Sequence, residues 1–130
     1  MVIGVLALQG AVSEHLKMVT ACGVTARPVK TEAELKNLDG LIIPGGESTT
    51  IRKLLVREQM LEPLKELVQQ GFPVFGTCAG LVLLAQPDLL NGLNGTVVRN
   101  GFGRQRESFE TELTVQGWSK PYHGVFIRAP

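Results

Sequence analysis

The sequence has few cysteines, few aromatic residues and almost no net charge. Two cysteines occur in 130 residues, and aromatic side chains make up 5%. With so few cysteines in a cytosol-like sequence, we expect reduced thiols. No Cys or His spacing suits zinc, so we expect no metal. A formal net charge of +1 with scattered basic residues argues against a nucleic-acid partner or an electrostatic membrane patch. No apolar run could span a bilayer and residues 1–10 show no signal-peptide pattern, so we expect a cytoplasmic protein.

The length and composition indicate one globular domain, residues 1–130. Hydrophobic residues make up 44% and charged residues 19%, which is ordinary for a folded chain. Strand-like and helix-like segments alternate up to residue 85, which predicts an α/β fold with a doubly wound, mostly parallel sheet flanked by helices. We predict strands at 2–8, 25–29, 41–43 and 73–76, a short helix or turn at 32–38, and helices at 11–22, 50–58, 62–70 and 79–85, with Ser48, Thr49 and Thr50 as candidate N-caps.

The pattern changes after residue 85. Residues 86–95 are rich in Asn, Gly, Pro and Asp, which is typical of a loop. Strand candidates follow at 96–98, 112–115 and 125–127 without long helices between them, so this part is predicted to be antiparallel. The chain ends directly after a strand candidate, and we expect the fold to be incomplete at its C-terminus.

Residues 76–80 have the form G-x-C-x-G between a strand and a helix. This is the cysteine version of the nucleophile elbow, in which glycines permit a tight, strained turn. The following helix directs its N-terminus at Cys78, which favours the thiolate, and the amide of Ala79 could donate to an oxyanion. The competing interpretation is a buried structural cysteine, but the strand, elbow and helix context favours a nucleophile. Cys22, at a helix end, is predicted to be structural.

A second glycine-rich loop, residues 44–48, also follows a strand. Its two glycines can turn backbone N–H groups towards an anion. A phosphate loop is the main alternative, but the Gly-Lys-Ser/Thr ending of such loops is missing. An oxyanion hole beside Cys78 fits better, because both loops would meet at one edge of the sheet.

Together, several motifs in one order make the chain similar to the PdxT or SNO family, the glutaminase half of pyridoxal 5'-phosphate synthase. The elbow alone would indicate only a class I glutamine amidotransferase. The blocks at 99–105 and 126–130 narrow the resemblance to this family. The motifs are residues 4–10, 44–50, 76–80, 99–105, 107–110 and 124–130.

The resemblance implies a flavodoxin-like class I glutamine amidotransferase fold and the hydrolysis of L-glutamine to glutamate and ammonia. The ammonia would pass to a synthase subunit that builds the vitamin B6 coenzyme, within a large hetero-oligomer. No cofactor is implied.

The resemblance also assigns roles to individual positions. Cys78 matches the nucleophile, which forms a glutamyl thioester. The backbone of Gly46, with Ala79, matches the oxyanion hole. Gln9, Glu14 and His15 match the region facing the synthase and the ammonia path. The glutamine-binding positions are matched by Gly46, Glu47, Ser48, Arg99, Ile127 and Arg128.

Two departures from the family pattern stand out. The segment 85–93 looks shorter than usual, and the family's later His-Pro-Glu motif, which supplies a base and its orienting carboxylate, does not occur in residues 1–130. We do not expect His15 or His123 to replace that base. We therefore expect a longer native chain. Two alternatives stay open: a non-catalytic module that binds the synthase, and a cysteine hydrolase of related fold, against which Arg99, Gln105 and Arg128 argue because they suit a free amino acid.

Overall fold

The computed structural model describes residues 1–98 and 101–127. The chain forms two compact units, Met1–Thr96 and Val97–Pro130, and each is described by itself. The assignment of residues 1–130 to one domain stays a prediction.

The first unit is built on a four-stranded parallel sheet. Its strands are β1 (Val2–Leu6), β2 (Thr25–Val29), β3 (Gly40–Ile43) and β4 (Val74–Gly76), in the order β2-β1-β3-β4. All the pairings are parallel, as the apolar runs predicted. This strand order is that of flavodoxin-like sheets, in which the chain winds to opposite sides of β1.

Four helices accompany the sheet: α1 (Val12–Ala21), α2 (Ser48–Arg57), α3 (Leu61–Gln69) and α4 (Ala79–Ala85), with a 3-10 turn at Glu32–Leu35. The predicted helices are thus confirmed, with one correction. We expected α2 to begin at about residue 50 with a Ser or Thr cap, but it begins at Ser48 and its cap is Glu47. The carboxylate has two acceptor oxygens, and one accepts from the Thr49 amide while the other accepts from the Thr50 amide.

The main core lies on one face of the sheet. Leu41 and Ile43 of β3 point to this face and are almost fully buried with Ile51 and Leu55 of α2. Side chains alternate along a strand, so the neighbours of these residues lie on the face that carries α1. There, Phe75 is 62% exposed. It borders an open apolar depression of about 560 Å³ whose lining includes Ile3, Met18, Cys22 and Ile42.

The second unit contains an antiparallel pair, β5 (Phe109–Leu113) and β6 (Tyr122–Phe126). Phe109 and Phe126 stack with ring centroids 4.7 Å apart. The antiparallel prediction is confirmed, but both strands begin three residues earlier than predicted, because the stacked Phe109 and the Tyr122 pairing extend the ladder. The strand predicted at 96–98 is wrong, since these residues are assigned to no strand. Within the described ranges, no helix is long and apolar enough to cross a membrane.

Candidate active site

Three loops at the carboxyl ends of β1, β3 and β4 form the candidate site in the first unit. The chain winds in opposite directions from β1 and β3, so the loops after these two strands flank the topological switch point. Ligands of open parallel sheets bind at this position. The loop after β1 carries Gln9, and the loop after β3 carries Gly46.

The loop after β4 is the predicted nucleophile elbow. Cys78 is exposed and has φ 48° and ψ −111°, a conformation that costs free energy in a residue with a side chain. The two motif glycines allow the sharp turn. A Cβ on Gly76 would lie 2.6 Å from the Gly80 carbonyl carbon, and one on Gly80 would overlap the carbonyl oxygen of Ile43. The glycines therefore let α4 pack directly against β3 and β4.

Backbone hydrogen bonds hold the elbow in this shape. The amide of Thr77 donates to the Ile43 carbonyl at 3.1 Å, and the amide of Gly80 donates to the Thr77 carbonyl at 2.8 Å. Ala79 is the first residue of α4, so its N–H has no acceptor within the helix. It follows the exposed Cys78 directly and has a position suited to an oxyanion donor.

The glycine loop after β3 lies against the elbow. A Cβ on Gly45 would be 3.0 Å from the Cβ of Cys78, so this loop and Cys78 are in close contact. The amide of Gly45 donates to the Thr77 hydroxyl at 2.9 Å. Gly46 is exposed and follows Gly45, which keeps its backbone near the thiol.

The loop after β1 fixes the glycine loop from the other side. The amide of Ala11 donates to the Gly45 carbonyl at 2.9 Å, and the amide of Glu47 donates to Oε1 of Gln9 at 3.0 Å. Gly10 has φ 99°, and a Cβ there would overlap the Gly45 carbonyl oxygen. Gln9 is thus a direct neighbour of the predicted oxyanion loop.

The Glu47 carboxylate caps α2. It accepts hydrogen bonds from the amide of Thr50 at 2.7 Å, the hydroxyl of Thr50 at 2.7 Å and the amide of Thr49 at 3.2 Å. These bonds, led by that of the Thr50 hydroxyl, lower the pKa of Glu47, because they stabilise the charged form. Ser48, half-buried, is the first residue of the helix.

His15 is hydrogen-bonded into the site although it belongs to α1. Its Nε2 is 3.2 Å from the hydroxyl oxygen of Thr77, and its Nδ1 is 2.7 Å from the Ala11 carbonyl. No role for Thr77 was predicted from the sequence. The one available signal was a hydroxyl residue placed between the first glycine and the cysteine of the elbow.

The remaining predicted residues lie elsewhere. Glu14 is exposed and accepts a hydrogen bond from Ser13, and its pKa is lowered by a backbone hydrogen bond and then by that of Ser13. Ile127 follows β6 in the second unit and is 58% exposed. Arg99 and Arg128 lie outside the described residues.

Two further residues that the sequence analysis discussed have different surroundings. Cys22 caps the C-terminus of α1 as a free, exposed thiol. His123 lies between Glu110 and Glu112 in the second unit. Among residues 1–98 and 101–127, no group of three or more His, Cys, Asp or Glu side chains could hold a metal ion.

Comparison with known proteins gives one consistent result. Residues 5–130 match the model of the SNO glutamine amidotransferase family. The chain is 54% identical to pyridoxal 5'-phosphate synthase subunit PdxT of Bacillus licheniformis, with 98% of this chain and 68% of that one covered. It is 54% identical to the same subunit of Geobacillus thermodenitrificans, with 100% and 70% covered.

A solved glutamine amidotransferase structure is 43% identical over all of this chain and 72% of its own, with a TM-score of 0.83. The alignment to the Geobacillus thermodenitrificans protein spans 136 positions, so that relative has residues between the aligned ends that this chain lacks. Their location at residues 85–93 stays a prediction. The family match and these identities lead to one assignment: the chain belongs to the SNO glutamine amidotransferase family.

Proposed function

We propose that this chain is the glutaminase subunit of a pyridoxal 5'-phosphate synthase and that Cys78 is its nucleophile. The observation that carries the proposal is the strained, exposed Cys78, which directly precedes α4 and lies against the Gly45 backbone. Such an elbow costs free energy and gives no packing benefit to an exposed side chain, so it indicates a reactive role.

The proposed reaction has two steps. The thiolate of Cys78 attacks the side-chain carbonyl of L-glutamine, and the backbone N–H groups of Gly46 and Ala79 stabilise the oxyanion. Collapse of this intermediate breaks the C–N bond, and the nitrogen leaves as ammonia after gaining a proton. Water then hydrolyses the glutamyl thioester to glutamate and restores the thiol. A general base must take the thiol proton and later activate the water.

Charged groups would recognise the amino-acid end of glutamine. We assign this role to Glu47, beside the elbow. The family resemblance proposes glutamine binding also for Ser48, Arg99, Ile127 and Arg128. Arginine suits the α-carboxylate. Glu47 remains ionised to lower pH than a free glutamate, so its negative charge would attract the α-ammonium even while it caps α2.

The proposal includes a synthase partner, because the curated relatives are named as subunits of that synthase. Gln9, Glu14 and His15 would face this partner. The contact between Gln9 and the amide of Glu47 would connect the partner surface to the oxyanion loop and give ammonia a route past Gln9. Assembly into a large hetero-oligomer and a cytoplasmic location, where free glutamine is available, belong to the same proposal.

A second function is a synthase-binding module without glutaminase activity. The observation that favours it is that both histidines of residues 1–130 are engaged in hydrogen bonds, His15 with Ala11 and Thr77, and His123 with two glutamates.

Two measurements on the 130-residue chain separate these functions. The first is covalent labelling by a diazoketone analogue of glutamine, followed by intact mass; Cys78→Ser should abolish it and Cys22→Ser should not. The second is ammonia release from glutamine with and without the synthase subunit. Labelling with Cys78-dependent release supports the glutaminase. Labelling and synthase binding without release support the module, and a chain that neither labels at Cys78 nor binds the synthase refutes both.

A further inference from the structure

Hydrogen bonds join the three loops of the site in a closed ring. The Gly45 amide donates to the Thr77 hydroxyl, the Thr77 hydroxyl meets Nε2 of His15, and Nδ1 of His15 meets the Ala11 carbonyl. The ring closes where the amide of Ala11 donates to the Gly45 carbonyl. The half-buried imidazole of His15 therefore connects α1 to Thr77, the residue before Cys78. Through the Thr77 hydroxyl it is also connected to Gly45.

The partners fix where the protons lie. A carbonyl oxygen only accepts, so Nδ1 of His15 must carry the hydrogen that Ala11 receives. In the neutral ring, Nε2 is then an acceptor, and the Thr77 hydroxyl donates to it. This arrangement leaves a lone pair of the hydroxyl oxygen facing the Gly45 amide. Each donor in the ring thus has an acceptor, and the four hydrogen bonds all point the same way around the ring.

We propose that His15 is a positioning residue for the glutaminase site. His15 accepts a hydrogen bond from the Thr77 hydroxyl and so fixes the position of its oxygen. That oxygen accepts a hydrogen bond from the Gly45 amide, which sets the position of the glycine loop relative to Cys78. Because α1 follows the loop that carries Gln9, any displacement of α1 moves the imidazole and is transmitted to the elbow. The catalytic consequence rests on the proposed function, whereas the hydrogen-bonded ring does not.

The ring is tested first without any reaction. Nitrogen-15 NMR of the imidazole should show Nδ1 protonated and Nε2 unprotonated in His15. Exchange of the Gly45 amide hydrogen should become roughly three- to tenfold faster in His15→Leu and in Thr77→Val, as expected for the loss of one hydrogen bond. Thr77→Ser keeps the hydroxyl and should exchange as the wild type does. The opposite tautomer, or unchanged exchange in His15→Leu, overturns the proposal.

The consequence for the site is tested by labelling Cys78 with the diazoketone analogue. His15→Leu and Thr77→Val should each slow labelling roughly three- to tenfold, and the double variant should be no slower than the worse single variant, because both remove one shared interaction. His15→Gln, which keeps an acceptor near Nε2, should recover part of the rate. Additive effects in the double variant, or no effect of His15→Leu, contradict the positioning role.

Matched controls remove similar groups elsewhere. Thr20→Val deletes a hydroxyl of α1 that donates to the Leu16 carbonyl, and His123→Leu deletes the imidazole of the second unit. Neither should change Gly45 exchange, and Thr20→Val should not change Cys78 labelling. If the wild-type chain is not labelled at Cys78, the proposed function fails, while the tautomer and exchange measurements still decide the ring.

Discussion

The amide of Gly45 donates a hydrogen bond to the hydroxyl of Thr77 at 2.9 Å, and the two residues are separated by 32 positions in sequence. This bond holds the glycine loop after β3 against the elbow after β4. Its effect is a fixed distance between Cys78 and the backbone that is proposed to bind the oxyanion. The geometry of the site should therefore be sensitive to any added side chain at Gly45.

Gly45→Ala is expected to reduce labelling of Cys78 by the glutamine analogue. The new Cβ would lie 3.0 Å from the Cβ of Cys78 and 3.4 Å from the Thr77 carbonyl oxygen, so the loop or the thiol must move. A misplacement of about 1 Å in such a site can lower the rate by about a hundredfold. Gly95→Ala, with no atom within 4 Å of the new Cβ, is the matched control. Equal labelling in the two variants would show that the loop does not position the thiol.

Gly80→Ala is expected to destabilise the first unit. Its Cβ would overlap the carbonyl oxygen of Ile43, and backbone of a central strand cannot move aside as a flexible side chain can. Overpacking typically costs about 1–3 kcal/mol of unfolding free energy, and a clash with backbone belongs at the upper end of that range. Urea unfolding should detect the loss, while the control Gly95→Ala should stay within about 0.5 kcal/mol of the wild type. A wild-type midpoint for Gly80→Ala would mean that α4 is not packed directly against β3.

Glu47→Gln is expected to lower stability in a pH-dependent way. The hydrogen bond from the Thr50 hydroxyl is the largest of the effects that lower the pKa of Glu47. A lowered pKa stabilises the fold at pH values above the unfolded value of 4.5, and this contribution is lost as the pH falls through the folded value. The melting temperatures of wild type and variant should therefore differ at pH 7, and the difference should shrink as the pH falls below 4.5. A constant difference between pH 7 and pH 3 would contradict the cap.

The fold of the first unit was predictable because its strands and helices carry local signals. The apolar run at 2–8 and the spacing of Val12, Leu16 and Val19 are properties of neighbouring residues. The cap of α2 was missed for a physical reason: Ser48 and Thr49 are commoner caps than glutamate, and only the structure shows that the Glu47 carboxylate reaches the first turn.

The site was predictable in part. The geometry of the elbow at Cys78 and of the glycine loop was predictable from motifs, because glycines at fixed spacing indicate a backbone conformation that other residues cannot adopt. The role of Cys78 as nucleophile stays a prediction. His15 and Thr77 are 62 positions apart in the sequence. Nothing in the sequence around either residue predicts that the two are in contact. The prediction of a strand at 96–98 was wrong for a similar reason. A short apolar segment forms a strand only where a partner strand exists, and the local sequence does not show whether one does.

The last prediction concerns His123 in the second unit. Its imidazole lies 2.9 Å from a carboxylate oxygen of Glu112 and 2.8 Å from one of Glu110. The hydrogen bond to Glu112, followed by that to Glu110, raises the pKa of His123 above 6.5. A raised pKa means that the protonated form stabilises the pairing of β5 with β6. This contribution is fully present below pH 6.5 and is lost as the pH rises through the folded value.

Amide hydrogen exchange in β5 and β6 should therefore quicken, relative to the first unit, as the pH rises above 6.5, after correction for the intrinsic exchange rate. His123→Gln keeps hydrogen-bonding capacity but cannot become charged, so its corrected exchange should not change over this range. Glu110→Gln and Glu112→Gln should each weaken the dependence, because both carboxylates contribute to the raised pKa. Identical pH profiles for wild type and His123→Gln would show that the charged imidazole does not hold the two strands together.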